Sequence, residues 1–422
     1  MAISAADRWR RSPALRALGL ATAAACANPP APAAPPGPAS AEPVVQVGLV
    51  VGGNGAVIGG AAPLRVLQPD GTTLADIRAG ETWRATALPA GVGLAPGAGA
   101  PATVAEQLLV APLDSGVPVR VNGRSYHGTL ALLRDRTGLT VVNRVPMEAY
   151  LLGVVSAEMG RRDPSEREAL RAQAVISRTY ALRNLGRWRT EGFDLYATVS
   201  DQVYGGIDAE TPEGRDGVES TRGQIVTWNG EPIDAFFFST CGGRTEDGGE
   251  VFRGAVRPYL RSMSDATPSG GVYCSISPRY RWREEWSGEG LRGVLRRSLP
   301  AVLALEASRV DEVRDVRVGG RTGSGRVGML TLVLGAEQLD VDGPQVRQVL
   351  RTPAGEILRS TAFTLEARRS GRRIARLVAE GSGNGHGVGL CQWGAVGRAR
   401  AGQDYQQILA AYYGGTELSR MY

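Results

Sequence analysis

The sequence predicts an α+β fold, strand-rich with a few helices, and three observations carry that expectation. Short β-branched runs separated by Gly, Pro and Asn-Gly or Asp-Gly breaks fill residues 44–142. Two stretches with apolar residues at helical spacing come next, across 146–184. The rest returns to strand-like runs at 224–228, 233–238, 312–318, 328–334 and 362–365, with a helical stretch near 291–305 and a closing helix over 404–412. At 422 residues and 43% apolar, the chain can bury a large core and is long enough for two or three domains.

Residues 1–26 read as an export signal of the lipoprotein type, with arginines at positions 8–16, an apolar run Ala17–Ala25 and then Cys26. The run is too short to span a membrane. Ala23-Ala24-Ala25-Cys26 resembles a lipoprotein cleavage box, although leucine is usual where Ala23 stands. Lipidation is therefore expected at Cys26, with cleavage alone as the alternative. Residues 27–43 carry seven prolines among alanines, the composition of an extended, semi-rigid tether. No second hydrophobic span comes after it, so the folded part is expected outside the cytoplasm, exported and held at the membrane or cell envelope through its N-terminal anchor alone.

The formal charge is +6, and four arginines against Asp7 in the first 25 residues supply half of it. Arginines and acids are interspersed afterwards, as in Arg161-Arg162-Asp163, and no Gly-rich loop carries Lys-Ser or Lys-Thr. Nucleic-acid and phosphate binding are disfavoured.

Residues 44–119 form a β-rich N-terminal region ahead of a domain spanning 120–422. Asp70-Gly71 and Asn122-Gly123 are the expected hairpin turns, and Gly91–Gly99 the expected loop. His127 is read as a strand-surface residue beside a turn. Pro146 suits the first turn of a helix on which Met147, Leu151, Val154 and Val155 share one face. Asp163 caps the next helix, with Pro164 at its first position and Ala169, Ala172, Ile176 and Leu182 facing inward. An inserted strand-helix module in the second half fits the pattern, without clear bounds.

Glu158 stands near the C-terminal end of the first helix, seven residues after Leu151 and four after Val154, on the apolar face. Partial desolvation and the negative end of the helix dipole both disfavour its ionisation. A raised pKa suits a general acid for glycosidic cleavage. The alternative is a surface Glu paired with Arg161 or Arg162. Glycan hydrolysis normally needs a second carboxylate. Glu148 lies on a different face of the helix, Asp163 is a cap and Asp201 sits in a polar turn. One acid/base suffices if a sugar hydroxyl is the nucleophile.

Four motifs in order carry a resemblance: Val145–Tyr180, Asp201-Gln202-Val203-Tyr204-Gly205-Gly206, Phe238-Ser239-Thr240-Cys241-Gly242-Gly243-Arg244-Thr245, and Gly385–Ala395. From about Arg120 to Tyr422 the chain resembles the SpoIID/LytB family of sporulation and amidase-enhancer proteins. The resemblance implies an α+β domain around a glycan-binding groove. It also implies lytic transglycosylase activity on glycan strands stripped of stem peptides, with the glutamate of Ala-Glu-Met, here Glu158, as acid and then base. Its enhancer members imply a rival, a non-catalytic wall-binding protein that stimulates a cell-wall amidase. Some relatives have a histidine where this chain has Phe238, which weakens a metal assignment copied from them.

His386, among glycines, could bond a sugar, orient Glu158, ligate a metal or buttress a turn. Gln392 and Trp393 suit a sugar's hydroxyls and ring face, with core filling as the alternative for Trp393. Tyr204, Ser239 and Thr240 are placed to line the same groove. Gln173 and Arg178 could reach it, although a salt bridge or surface role suits either better. Cys241, Cys274 and Cys391 cannot all pair within one chain. A Cys241–Cys274 disulfide or plain structural thiols is the favoured reading, without a cofactor. The alternative is a zinc site of the three thiolates completed by His386.

Overall fold

The computed structural model describes residues 41–97, 99–252, 254–304, 310 and 313–422. The export signal, Cys26 and nearly all of the tether lie outside these residues. The fold is α+β and strand-rich, as expected. No helix among the described residues is long and apolar enough to cross a membrane.

Two sheets built largely from the first hundred described residues support the first helix. The seven-stranded sheet runs, in spatial order, 195–196, 44–53, 139–146, 129–134, 107–112, 64–67 and 73–77. The six-stranded sheet runs 124–126, 119–121, 56–60, 82–88, 91–96 and 103–105. Side chains alternating inward from both, among them Val45, Val47, Ile58, Leu64, Val66, Leu108, Val110 and Val141, share one core. The expected hairpins form. Asn122 and Gly123 both take positive φ, at 51° and 83°, as a two-residue primed turn requires.

Pairing runs across positions 119 and 120: Ile58–Gly60 bonds Val119–Val121, and Val44–Gly53 bonds Leu139–Pro146. The β-rich segment is therefore continuous with the strands that lead into the first helix. Gly91–Pro96, expected as a loop, is a strand paired on both sides. Its glycines mark close packing of neighbours, which composition does not distinguish from a turn.

Helix α1 (Met147–Met159) leaves the end of strand 139–146 directly, with Pro146 as its N-cap and not its first residue. It is buried nearly all round. Asp163 and Glu166 form a capping box over the short 3₁₀ turn Pro164–Glu166, which runs into α2 (Arg167–Arg183). Helices α3 (Pro212–Ser220) and α4 (Gly248–Val251) come after it. Of the expected strand 233–238, Phe237–Phe238 alone pairs, in parallel with Leu390–Cys391. Ile233 and Ala235 are apolar because they are buried, and they are not in a sheet.

The inserted module has clear bounds in the fold. Residues 281–382 carry α5 (Gly288–Leu303), α6 (Gly343–Val349) and two three-stranded sheets around their own core, which includes Trp286, Leu295, Leu332, Val341 and Leu377. After it the chain returns to the first core with two helices, α7 (Gln392–Arg400) and α8 (Tyr405–Tyr412). Of these two, the sequence pattern predicts α8 alone.

Candidate functional site

The last turn of α1 holds Glu158 against the segment 201–206. The Val203 N–H donates to Glu158 Oε1 at 2.8 Å, and the amide nitrogen of Gln392 stands 3.5 Å from Oε2, a long contact. Glu158 keeps part of its surface exposed. Burial raises its pKa above the ordinary value, and the Val203 and Gln392 contacts only partly oppose that rise. Arg161 and Arg162 do not pair with it. Arg162 instead lies 4.5 Å over the Trp393 ring, with Glu166 at 3.8 Å.

Val203 is brought to Glu158 by the packing of Gly153 on Tyr204. A Cβ on Gly153 would lie 2.7 Å from the Tyr204 ring and 2.9 Å from the Gly206 carbonyl. Tyr204 is itself buried, its ring packed at a tilt against Tyr126 and Tyr150, and its hydroxyl donates to Asn143 at 3.0 Å. This corrects its expected place on the groove: it shapes the Val203 segment from beneath.

Gln392 and Trp393 open α7. Gln392 also stands 3.5 Å from the carbonyl oxygen of Gln173, whose amide donates to Ser177 at 3.0 Å. Gln173 thus lies behind the glutamine that approaches Glu158, in place of the salt-bridge or surface role expected for it. The backbone N–H of Trp393 donates to the Ser239 carbonyl at 3.0 Å, and the side chain is partly exposed. Ser239 is partly exposed beside it, but Thr240 is not available to a ligand. Thr240 is buried, pairs through its backbone with Asn384 and through its hydroxyl with Ser277 at 2.8 Å.

His386 is a second correction. Its Nε2 donates to the Phe237 carbonyl at 2.8 Å and its Nδ1 accepts from the Val388 N–H at 3.1 Å, which assigns the neutral Nε2–H tautomer. The ring sits among Phe236, Phe238 and Phe252, and burial pushes its pKa down to about 4. Both nitrogens are engaged, so His386 buttresses the glycine turn and does not ligate a metal. The three cysteines do converge, all buried and none in a disulfide, but with Asp265 where His386 was expected.

Among the acids weighed as partners for Glu158, each is held elsewhere. Glu148 forms a buried pair with Arg178, Asp163 caps its helix, and Asp201 accepts from Tyr180, Arg187, Trp188 and the Tyr196 N–H. Arg178 is correspondingly inside and away from Glu158. His127 occupies a turn and not a strand, bonded to Glu210 at 2.7 Å.

Comparison with known proteins agrees with this architecture. Residues 135–228, which carry α1, α2 and the Val203 segment, match the family of stage II sporulation protein, and residues 270–389 match a domain of unknown function that coincides closely with the inserted module. Stage II sporulation protein D of Bacillus subtilis is 30% identical over 67% of this chain and 77% of its own length. An uncharacterized protein of Brachyspira hyodysenteriae is 32% identical over 71% of this chain and 73% of its own. The amidase enhancer of Bacillus subtilis is 29% identical over 60% of this chain but 38% of its own length. On the strength of the match to stage II sporulation protein D, the chain belongs to the SpoIID/LytB family.

Proposed function

We propose that this chain works on the bacterial cell wall as a peptidoglycan lytic transglycosylase, cleaving the bond between MurNAc and GlcNAc in denuded glycan and leaving 1,6-anhydroMurNAc ends. The observation that carries the reading is Glu158: one partly exposed carboxyl with a raised pKa, flanked by amides, while the three acids weighed beside it are engaged elsewhere. Glu158 gives its proton to the bridging oxygen as GlcNAc leaves C1 of MurNAc. The carboxylate then takes the proton of the C6 hydroxyl as that oxygen bonds C1, so no water is consumed and the acid is regenerated. Gln392 and the free face of Trp393 bind the sugars next to the cleaved bond. In this reading the protein is exported and tethered through its N-terminus, and its partner is the glycan itself.

The similarity to an amidase enhancer favours one rival, a wall-binding protein that stimulates an amidase without cutting glycan. Mass spectrometry of denuded glycan after incubation with the protein and with Glu158→Gln separates the two. New anhydro ends that vanish in the variant are expected. Reducing ends would mean a hydrolase, and binding without cleavage by either protein would establish the rival.

A further inference from the structure

One buried cluster has no part in the proposed chemistry. Cys241, Asp265, Cys274 and Cys391 each offer one ligand atom, and the four atoms all lie within 4.8 Å of one another. Cys241 Sγ is 3.3 Å from Cys274 Sγ and 3.3 Å from Asp265 Oδ2. Tetrahedral zinc with Zn–S of about 2.3 Å sets neighbouring sulfurs about 3.8 Å apart, so small adjustments suffice to close the site.

We propose that these four residues bind a single zinc ion in a closed Cys₃Asp site. The surroundings are those of a thiolate-metal centre. The Cys241 and Gly394 N–H groups donate to Cys391 Sγ at 3.1 and 3.2 Å, and the Gly243 N–H to Cys241 Sγ at 3.4 Å. Asp265 directs Oδ2 at the sulfurs because Oδ1 is held by Tyr412 at 2.8 Å and Arg398 at 3.2 Å, the outer contacts that orient a ligating carboxylate. Arg326, also buried, donates to the Cys241 carbonyl and has Nε and Nη1 without hydrogen-bond partners. A complex of three thiolates, one carboxylate and Zn²⁺ carries two negative charges, which the guanidiniums of Arg326 and Arg398 offset. Binding displaces the three thiol protons to solvent.

With four protein ligands the ion has no open position and is structural. It joins the loop after Phe238, the neighbouring segments at Asp265 and the 3₁₀ turn Tyr273–Ile276, and the N-terminus of α7, more than a hundred residues further along the chain. Cys391 immediately precedes Gln392 and Trp393, so the ion fixes the end of the helix that approaches Glu158. The zinc assignment stands apart from the proposed chemistry and is tested without it.

The full chain, purified with a thiol reductant, is expected to retain about one zinc per molecule by elemental analysis. Cobalt substitution should give thiolate-to-metal charge-transfer bands and intense tetrahedral d–d bands. Asp265→Asn should keep the fold by circular dichroism, shift the d–d bands and weaken zinc binding roughly tenfold or more. Removing zinc from the unmodified protein with a chelator should lower Tm, and re-addition should restore it, a readout that does not depend on any variant folding. A folded reduced protein that neither retains nor takes up zinc overturns the proposal. So does unchanged cobalt absorption in Asp265→Asn. A Cys241–Cys274 disulfide found in protein purified without reductant, with no metal bound, overturns it in favour of the cross-link.

Discussion

The Val203 N–H reaches Glu158 Oε1 at 2.8 Å, yet burial outweighs that bond and leaves the carboxyl harder to ionise than an ordinary glutamate. A pKa raised in the folded state means that the folded protein holds this proton more tightly. The associated stability is full below the unfolded pKa, near 4.5, and is lost as pH rises through the higher folded value. Glu158→Gln should therefore have a higher Tm than the parent at neutral pH, and the gap should close as pH falls below that window. Thermal melts across pH check this, and an equal or lower Tm for the variant at neutral pH would rule it out. The proposed first step needs the protonated acid, so anhydro-end formation should decline through the same raised pKa.

Much of this site is legible in the sequence. Glu158 is picked out by the Ala-Glu-Met motif of the resemblance, with the spacing of Leu151 and Val154 pointing to partial burial, and the capping of α2 by Asp163 follows from local chemistry. Distances set by packing are not legible. Tyr204 and Thr240 lie in motifs that resemble groove-lining segments, but their hydroxyls meet Asn143 and Ser277, residues far along the chain. Helix α7 escapes prediction because it has no clear apolar face: it is buried on most sides, between Gly-rich flanks. Asp265 is not predicted as a neighbour of the cysteines because no local pattern joins it to them.

Arg178 and Glu148 tie α2 to α1 through two hydrogen bonds, at 2.8 and 2.7 Å, with the guanidinium fully buried. Burial alone would raise the Glu148 pKa, but Arg178, Tyr422 and the Gly223 N–H together hold it below the ordinary value. Arg178→Met leaves that carboxylate inside without its partner and should cost about 3–5 kcal/mol. Glu148→Leu combined with Arg178→Met should recover much of the loss. Denaturant melts of the single and double variants check this, and a single variant within about 1 kcal/mol of the parent would show that the pair is dispensable.

His386 should stay neutral well below the usual histidine range, since burial pushes its pKa to about 4. A depressed folded pKa gives stability that is complete above the unfolded value and is lost as pH falls toward the folded one. The slope is at most about 1.4 kcal/mol per pH unit. Nitrogen-15 shifts of the imidazole should report a fixed Nε2–H tautomer down to about pH 4. Titration near pH 6.5 would mean a ring free of Phe237 and Val388.

Gly153 gives the sharpest link between packing and chemistry. In an open helix Gly→Ala would stabilise by roughly 0.8–1 kcal/mol, but here the new methyl meets Tyr204 at 2.7 Å and the Gly206 backbone at 2.9 and 3.0 Å. Backbone cannot rotate away as a side chain can, so the 203–206 segment must move off α1. Gly153→Ala should therefore be destabilising by about 1–3 kcal/mol. It should also lengthen the bond from Val203 to Glu158, and because that bond lowers the Glu158 pKa, losing it raises the pKa further. The stability gap between Gly153→Ala and its double variant with Glu158→Gln should then keep widening to higher pH, and level off at a larger value, than the gap between the parent and Glu158→Gln. Melts of the four proteins across pH decide it. A destabilised Gly153→Ala with an unmoved pH profile would uncouple the packing from the acid.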